Sequence, residues 1–172
     1  FLINQAKGID NSEVDSTIST PKGISNEFTL DRDIINKEKL YPYLMNLCET
    51  VSIRLRKKNK YANVICVILK DNYFKRKSHQ KKLVNATNIT TEIYKVAKEI
   101  LDEMWSEEKV RLIGVRLDKL TDSVNYQGSL FDAENSNDSK VDNVIDTLKE
   151  KYGSKIITKA SLKNSNKQFK NL

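Results

Sequence analysis

The stretch Tyr61-Ala62-Asn63-Val64-Ile65-Cys66-Val67-Ile68-Leu69-Lys70 decides the fold. From Val64 to Leu69 it is apolar without alternation and rich in β-branched residues, so it predicts a strand covered by helices on one face and at least partly covered on the other. Asp71-Asn72 then supplies a turn. Beyond it, Lys75, Lys77, His79 and Lys81 alternate with Phe74, Arg76, Ser78, Gln80 and Lys82. A strand there carries positive charge on both faces, densest on the odd-numbered one. Upstream, Leu40, Tyr43, Leu44, Leu47, Val51 and Leu55 recur at helical steps, with Pro42 tolerated in the first turn. Earlier still, Ile24, Asn26, Phe28 and Leu30 alternate with Ser25, Glu27 and Thr29, the pattern of a half-buried strand. Downstream, Thr90 is a candidate cap for a second helix, striped by Ile93, Val96, Ala97, Ile100, Leu101 and Met104, with Glu92 near its positive end. A last strand spans about residues 109–117. The order strand, helix, strand, strand, helix, strand predicts an α+β fold: a four-stranded antiparallel sheet with two helices on one face and the other face free.

A chain of 172 residues, 38% hydrophobic, holds one ordinary domain plus appendages. Residues 1–8 end on Lys7-Gly8, a helix C-terminus with glycine in the left-handed position. Residues 9–22 have the polar composition of a linker, 23–120 form the domain, and 121–172 form a tail. In that tail Val141, Val144, Ile145 and Leu148 predict a short amphipathic helix outside the domain, ended by Gly153. Residues 163–172 read as disordered. The N-terminus has neither an initiating Met nor the regions of a signal peptide, and reads as cut from something longer. No apolar run approaches the roughly 20 residues needed to span a bilayer, which excludes a membrane protein. Cys48 and Cys66 sit in apolar patterns without metal-ligand spacing, with His79 the one histidine, so they read as reduced core thiols of a cytosolic protein.

The net charge of +7 points toward polyanions. It is also segregated: between Arg54 and Lys82 eleven Lys and Arg face a single acid, Asp71, and the rest of the chain is net acidic. That distribution suits a phosphate-contacting surface, the alternative being a solvated basic face. RNA-recognition motifs share this topology, but they need glycine and paired aromatics on the third strand, where bases stack. Here that strand reads Phe74-Lys75-Arg76-Lys77-Ser78-His79-Gln80, with one aromatic and no glycine, so contact with a nucleic-acid backbone fits better than base stacking. Gln127-Gly128-Ser129-Leu130-Phe131 lies in a loop after the last strand, followed by a polar, acidic stretch. An exposed Leu-Phe pair there fills a partner's pocket, while Gln127 bonds its rim; the alternative is that both fold back on the domain's own core.

Gly8-Ile9-Asp10 with Val14, Pro21-Lys22-Gly23-Ile24, Thr29-Leu30-Asp31-Arg32-Asp33-Ile34, Arg54-Leu55-Arg56, Val110-Arg111-Leu112-Ile113-Gly114-Val115 and residues 127–131 together resemble the C-terminal third of a Y-family translesion DNA polymerase of the bacterial DNA polymerase IV type. The resemblance implies the end of a thumb at 1–8 and, at 23–120, a little-finger domain that enters the DNA major groove. It also implies DNA contacts at Arg111 and Arg116, and at Lys22, Lys75 and Lys77. Arg111 and Arg116 are five apart, so Gly114 is expected to mark a bulge that brings them to one face. Gln127, Ser129, Leu130 and Phe131 resemble the motif that docks on the bacterial replication sliding clamp. The chain departs from the family in reading Lys22-Gly23-Ile24-Ser25 where a hydroxyl usually follows the lysine, and in lacking a Thr-rich third strand.

The implied parent is a nucleotidyltransferase using Mg2+ held by palm carboxylates. No palm is recognisable, and Asp31-Arg32-Asp33 reads as structural, at the end of the first strand just before a helix, where aspartates favour the helix N-terminus. The expectation is a non-catalytic portion without its own cofactor: a cytoplasmic monomer that grips primer-template DNA during lesion bypass and tethers to the clamp. An RNA-binding module and a clamp-interaction adapter are the alternatives.

Overall fold

Helix α2 (Tyr41–Lys57) begins with Pro42 in its first turn, follows a short 3-10 turn at Lys37–Leu40, and buries Leu44, Leu47, Val51 and Leu55. These side chains, with Ile93, Ala97, Ile100 and Leu101 of α3 (Thr90–Met104), press on one face of a four-stranded antiparallel sheet. The sheet consists of β1 (Gly23–Ile34), β2 (Tyr61–Asp71), β3 (Arg76–Thr87) and β4 (Val110–Thr121), in the spatial order β1-β4-β2-β3. Two helices on one face of an antiparallel sheet is the expected architecture. A computed structural model describes residues 2–9, 13, 21–123, 135–154 and 156–160, and includes a short α1 (Leu2–Ala6) and a longer α4 (Asn135–Tyr152). Gly8 and Gly153 follow these two helices at φ +68° and +96°, the left-handed region that glycine enters at little cost. Among the described residues, no helix is long and apolar enough to cross a membrane.

The apolar periods translate directly into packing. Ile65, Val67 and Leu69 of β2 and Ile113, Val115 and Leu117 of β4 meet the helices and are at most 1% exposed. Full burial of each such side chain contributes about 1.5–3 kcal/mol, so the two central strands and the two helices hold one another. Phe28 of β1 stacks on Tyr43 of α2 with ring centroids 5.6 Å apart.

Three local expectations are corrected. Thr90 does not cap α3: Ile89 occupies the cap position with extended backbone and no side-chain bond, and the Thr90 N–H donates to Asp142 Oδ2 of α4 at 2.8 Å. Asp31-Arg32-Asp33 stands at the end of β1 as expected, where pairing with β4 shifts between Thr29 and Ile34, but it is Asn36 that caps the 3-10 turn that follows. The tail helix, finally, is not outside the domain. Arg56 of α2 donates to Asp146 through Nε at 2.6 Å and Nη2 at 2.9 Å, and to Asp142 through Nη1 at 3.0 Å. The same Nη1 reaches the Asn88 carbonyl at 2.7 Å, and Lys149 of α4 pairs with Glu49 of α2 at 2.8 Å.

Ion pairs anchor α4. Val141 and Val144 of its apolar stripe are 55% and 59% exposed and Ile145 and Leu148 are half-buried, whereas the Arg56 side chain is only 8% exposed. An apolar pattern could not have revealed a contact made by charges. Removing one partner of a buried, multiply bonded ion pair costs about 3–5 kcal/mol. Arg56→Ala is therefore expected to lower stability by roughly 3 kcal/mol in urea unfolding. Asp142→Asn, which keeps an acceptor for the Thr90 N–H, is expected to cost less.

Candidate nucleic-acid interface

Opposite the helices the sheet carries a second face, whose composition follows from the register. Ser25, Arg116, Cys66 and Gln80 form one row across the four strands; Glu27, Gly114, Ile68 and Ser78 form the next; Thr29, Leu112, Lys70 and Arg76 a third. Asp118 and Lys82 flank Val64 at the other end. Among the described residues no helix packs on this face, yet Val64, Cys66 and Ile68 are at most 4% exposed. Arg116, Arg76, Lys70 and Lys82 stand in the rows around them, and long charged side chains so placed can lay apolar stems against a sheet and keep their charged ends in water.

The geometry of these side chains is specific. Arg76 on edge strand β3 reaches Glu27 on the opposite edge strand β1, with Nη1 3.3 Å from Oε2, so the pair bridges the two central strands. Gly114 makes room for it: a Cβ at that position would lie 2.6 Å from Glu27 Cγ. Arg116 beside it donates to Asp118 Oδ2 at 2.7 Å.

The register also decides which sequence-predicted residues belong together. Arg116 is on the open face. Arg111 joins it through a bulge, but not at Gly114, where pairing is regular on both sides. Val110 pairs with Asp71 and Leu112 with Lys70, so the extra residue is Arg111 itself. Its guanidinium lies 5.1 Å from the centroid of the Phe74 ring, which Lys70 of the open face also approaches at 5.0 Å, and its Nε is 3.2 Å from Asp33 Oδ1. Lys22 is exposed just before β1, and Lys75 is exposed in the β2–β3 turn, at opposite ends of the face.

Lys77 stands apart. With His79 and Lys81 it pairs opposite Leu69, Val67 and Ile65, which puts the odd-numbered residues of β3 on the helix side. Lys77 Nζ is 2.8 Å from Glu108, Lys81 Nζ 2.7 Å from Glu103, and His79 Nε2 3.6 Å from Glu103. The hydrogen bond from Lys77 holds the Glu108 carboxyl below its usual range, and the bond to Glu103 raises the Lys81 ammonium. The strand face expected to be densest in free positive charge is thus matched by acids of α3 and the loop after it. Arg76 and Lys82 on β3, with Lys70 on β2, are the open-face cations the sequence reading missed. The parity of β3 was hidden because β2 is apolar on both faces. The pentapeptide at 127–131, with Gln127, Ser129, Leu130 and Phe131, lies outside the described residues.

Residues 21–130 match the impB/mucB/samB family C-terminal domain. The chain is 39% identical over 158 residues to DNA polymerase IV of Clostridium acetobutylicum, covering 91% of this chain and 40% of that protein. It is 34% identical over 174 residues to DNA polymerase IV of Alkaliphilus oremlandii, covering 94% and 43%. The chain thus spans about two fifths of the length of these curated relatives. Among solved structures, a Y-family DNA polymerase chimera superposes with a TM-score of 0.55 at 24% identity, covering 71% of this chain and 35% of that one. The little finger domain of PolIV, solved in complex with a beta-clamp processivity factor, superposes at 0.50 and 20% identity, covering 63% of this chain and 98% of that one. At these identities the two structures share the fold.

Burial on this face has a chemical consequence for Cys66, 2% exposed and paired opposite Arg116. Burial pushes its thiol up, with Arg116 opposing in part, and burial pushes that of Cys48 up as well. Thiolates are the reactive form. Both cysteines are expected to resist iodoacetamide in the native state at neutral pH and to react once the chain is unfolded, as followed by mass spectrometry.

Proposed function

Since the chain belongs to the impB/mucB/samB family, with residues 21–130 its C-terminal domain, the little finger of a Y-family DNA polymerase, we propose that its open sheet face grips primer-template DNA. The observation that carries this reading is the gathering of Arg116, Arg76, Lys82, Lys70 and Arg111 on the sheet face opposite the helices, which no described helix covers. Ser25, Thr29, Ser78 and Gln80 between them can donate to phosphate oxygens. Contacts of this kind set register and affinity on the duplex without reading its sequence, as copying past damaged bases requires. Lys22 and Lys75 extend the cationic surface at its two ends, whereas Lys77, turned to the helix side, drops out of the contact set.

In this reading the whole protein is an error-prone translesion polymerase acting in DNA repair in the cytoplasm, and this portion is non-catalytic and monomeric. Among the described residues no three of His, Cys, Asp and Glu come together to hold a metal ion. In this proposal the Mg2+ of nucleotidyl transfer is held by palm carboxylates elsewhere in the whole protein. Gln127, Ser129, Leu130 and Phe131 dock on the sliding clamp, Leu130 and Phe131 filling its pocket. Two modest attachments on one chain raise the effective concentration of each site for the other.

Fluorescence anisotropy on a labelled primer-template across a salt series tests the grip. Arg116→Ala is expected to weaken binding and reduce the slope of log K against log salt by about one, while Lys77→Ala changes neither. Glu27→Gln, which releases Arg76, is expected to tighten binding a few-fold; unchanged or weaker binding would remove the open face from the contact. Preference for single-stranded RNA as competitor would overturn the reading. For the tether, Phe131→Ala should abolish heat release on titration with clamp while leaving the circular dichroism spectrum unchanged.

A further inference from the structure

The turn between β2 and β3 holds two adjacent aromatic side chains in water, Tyr73 at 83% and Phe74 at 61% exposure. Phe74 has φ +66°, a conformation that bulky residues adopt only when their surroundings impose it. The surroundings here are a closed set of bonds. Asp71 Oδ1 accepts the N–H of Tyr73 and of Lys75, both at 2.8 Å, and the Asp71 carbonyl accepts the N–H of Phe74 at 3.1 Å. Asp71 N–H donates to the Lys75 carbonyl at 3.1 Å, and Asn72 N–H to that of Lys109 at 3.2 Å. The turn is thus rigidly built to keep its rings out of the core.

Charge surrounds them. Lys70 Nζ and Arg111 Cζ lie 5.0 and 5.1 Å from the Phe74 centroid, and Lys75 is exposed in the same turn. The nearby carboxylates are occupied: Asp71 by the turn's own amides, Asp33 by Arg111, Glu108 by Lys77. A rigid aromatic step with two cationic side chains against its Phe74 ring complements a flat π-face carried on a phosphate chain. It also continues the row of Lys70 and Arg76 at the end of the open face. We infer that residues 72–75 form a stacking foot for an unpaired base of single-stranded DNA continuous with the duplex on the sheet. The inference rests on the DNA-gripping reading of that sheet and adds to it a second, chemically distinct contact.

The test uses the full chain and two DNA hairpins, one blunt and one with a short 5′ overhang containing 2-aminopurine. The overhang is expected to tighten binding about tenfold, as one stacked base does, and to quench the 2-aminopurine fluorescence. The double variant Tyr73→Ser with Phe74→Gly, glycine suiting φ +66°, should abolish both effects, keep blunt-hairpin affinity within twofold and leave thermal unfolding unchanged. An overhang advantage that survives in this variant, or is absent from the parent chain, overturns the stacking foot while leaving the sheet contact standing, and assigns the aromatic pair to a protein surface. Loss of blunt-hairpin binding in the variant overturns it too, because the turn would then serve the duplex. Failure of the parent chain to bind either hairpin overturns both readings.

Discussion

Strand β2 is buried on both faces while helices cover only one, and much else in this protein answers that constraint. Ile65, Val67 and Leu69 are satisfied by α2 and α3. Val64, Cys66 and Ile68 on the other side must be kept from water by something that is not a helix. Arg116 from β4 and Arg76 from β3, paired with Asp118 and Glu27, are placed on that side. The price of this placement is steric, since an ion pair can cross β4 only where that strand has no side chain, and Gly114 is that place. A glycine that from sequence alone suggests a bulge is, in three dimensions, a groove for a carboxylate.

Much of the fold was legible because it rests on periodicity. The apolar stripes of α2 and α3, the alternation in β1 and the uninterrupted apolar run in β2 each report burial, and burial is what these elements share. Charge has no such grammar. Lys77 and Arg76 are neighbours of the same class, and nothing in their local sequence says which faces α3; the pairing of Leu69 with Lys77 and of Lys70 with Arg76 says so. Register is a property of two strands and a turn, so it stays invisible when one of them is apolar on both faces. The same reasoning explains α4, whose valines advertised a contact that Arg56 and two aspartates make instead.

α4 also changes what the tail is. Asp142 accepts a backbone N–H at the start of α3 and a guanidinium N–H from the end of α2, so one carboxylate ties three helices. α3 has no side-chain cap of its own. Its first turn is completed by a residue 52 positions away, making this helix start a tertiary feature.

The ionic pairs sort themselves by solvent, and that sorting separates structural from available cations. Around Arg56 little water competes, and a phosphate could displace its carboxylates only by taking apart the docking of α4. Arg76, Arg111 and Arg116 are paired too, but their side chains are 53%, 40% and 44% exposed. Exposed pairs are worth about 0–1 kcal/mol, so a phosphate oxygen exchanges for Glu27, Asp33 or Asp118 at little cost. An acid beside an arginine of the open face is then no argument against the proposed contact. What decides is the pair's exposure together with the face it lies on, and on both counts Arg116 and Arg76 differ from Arg56.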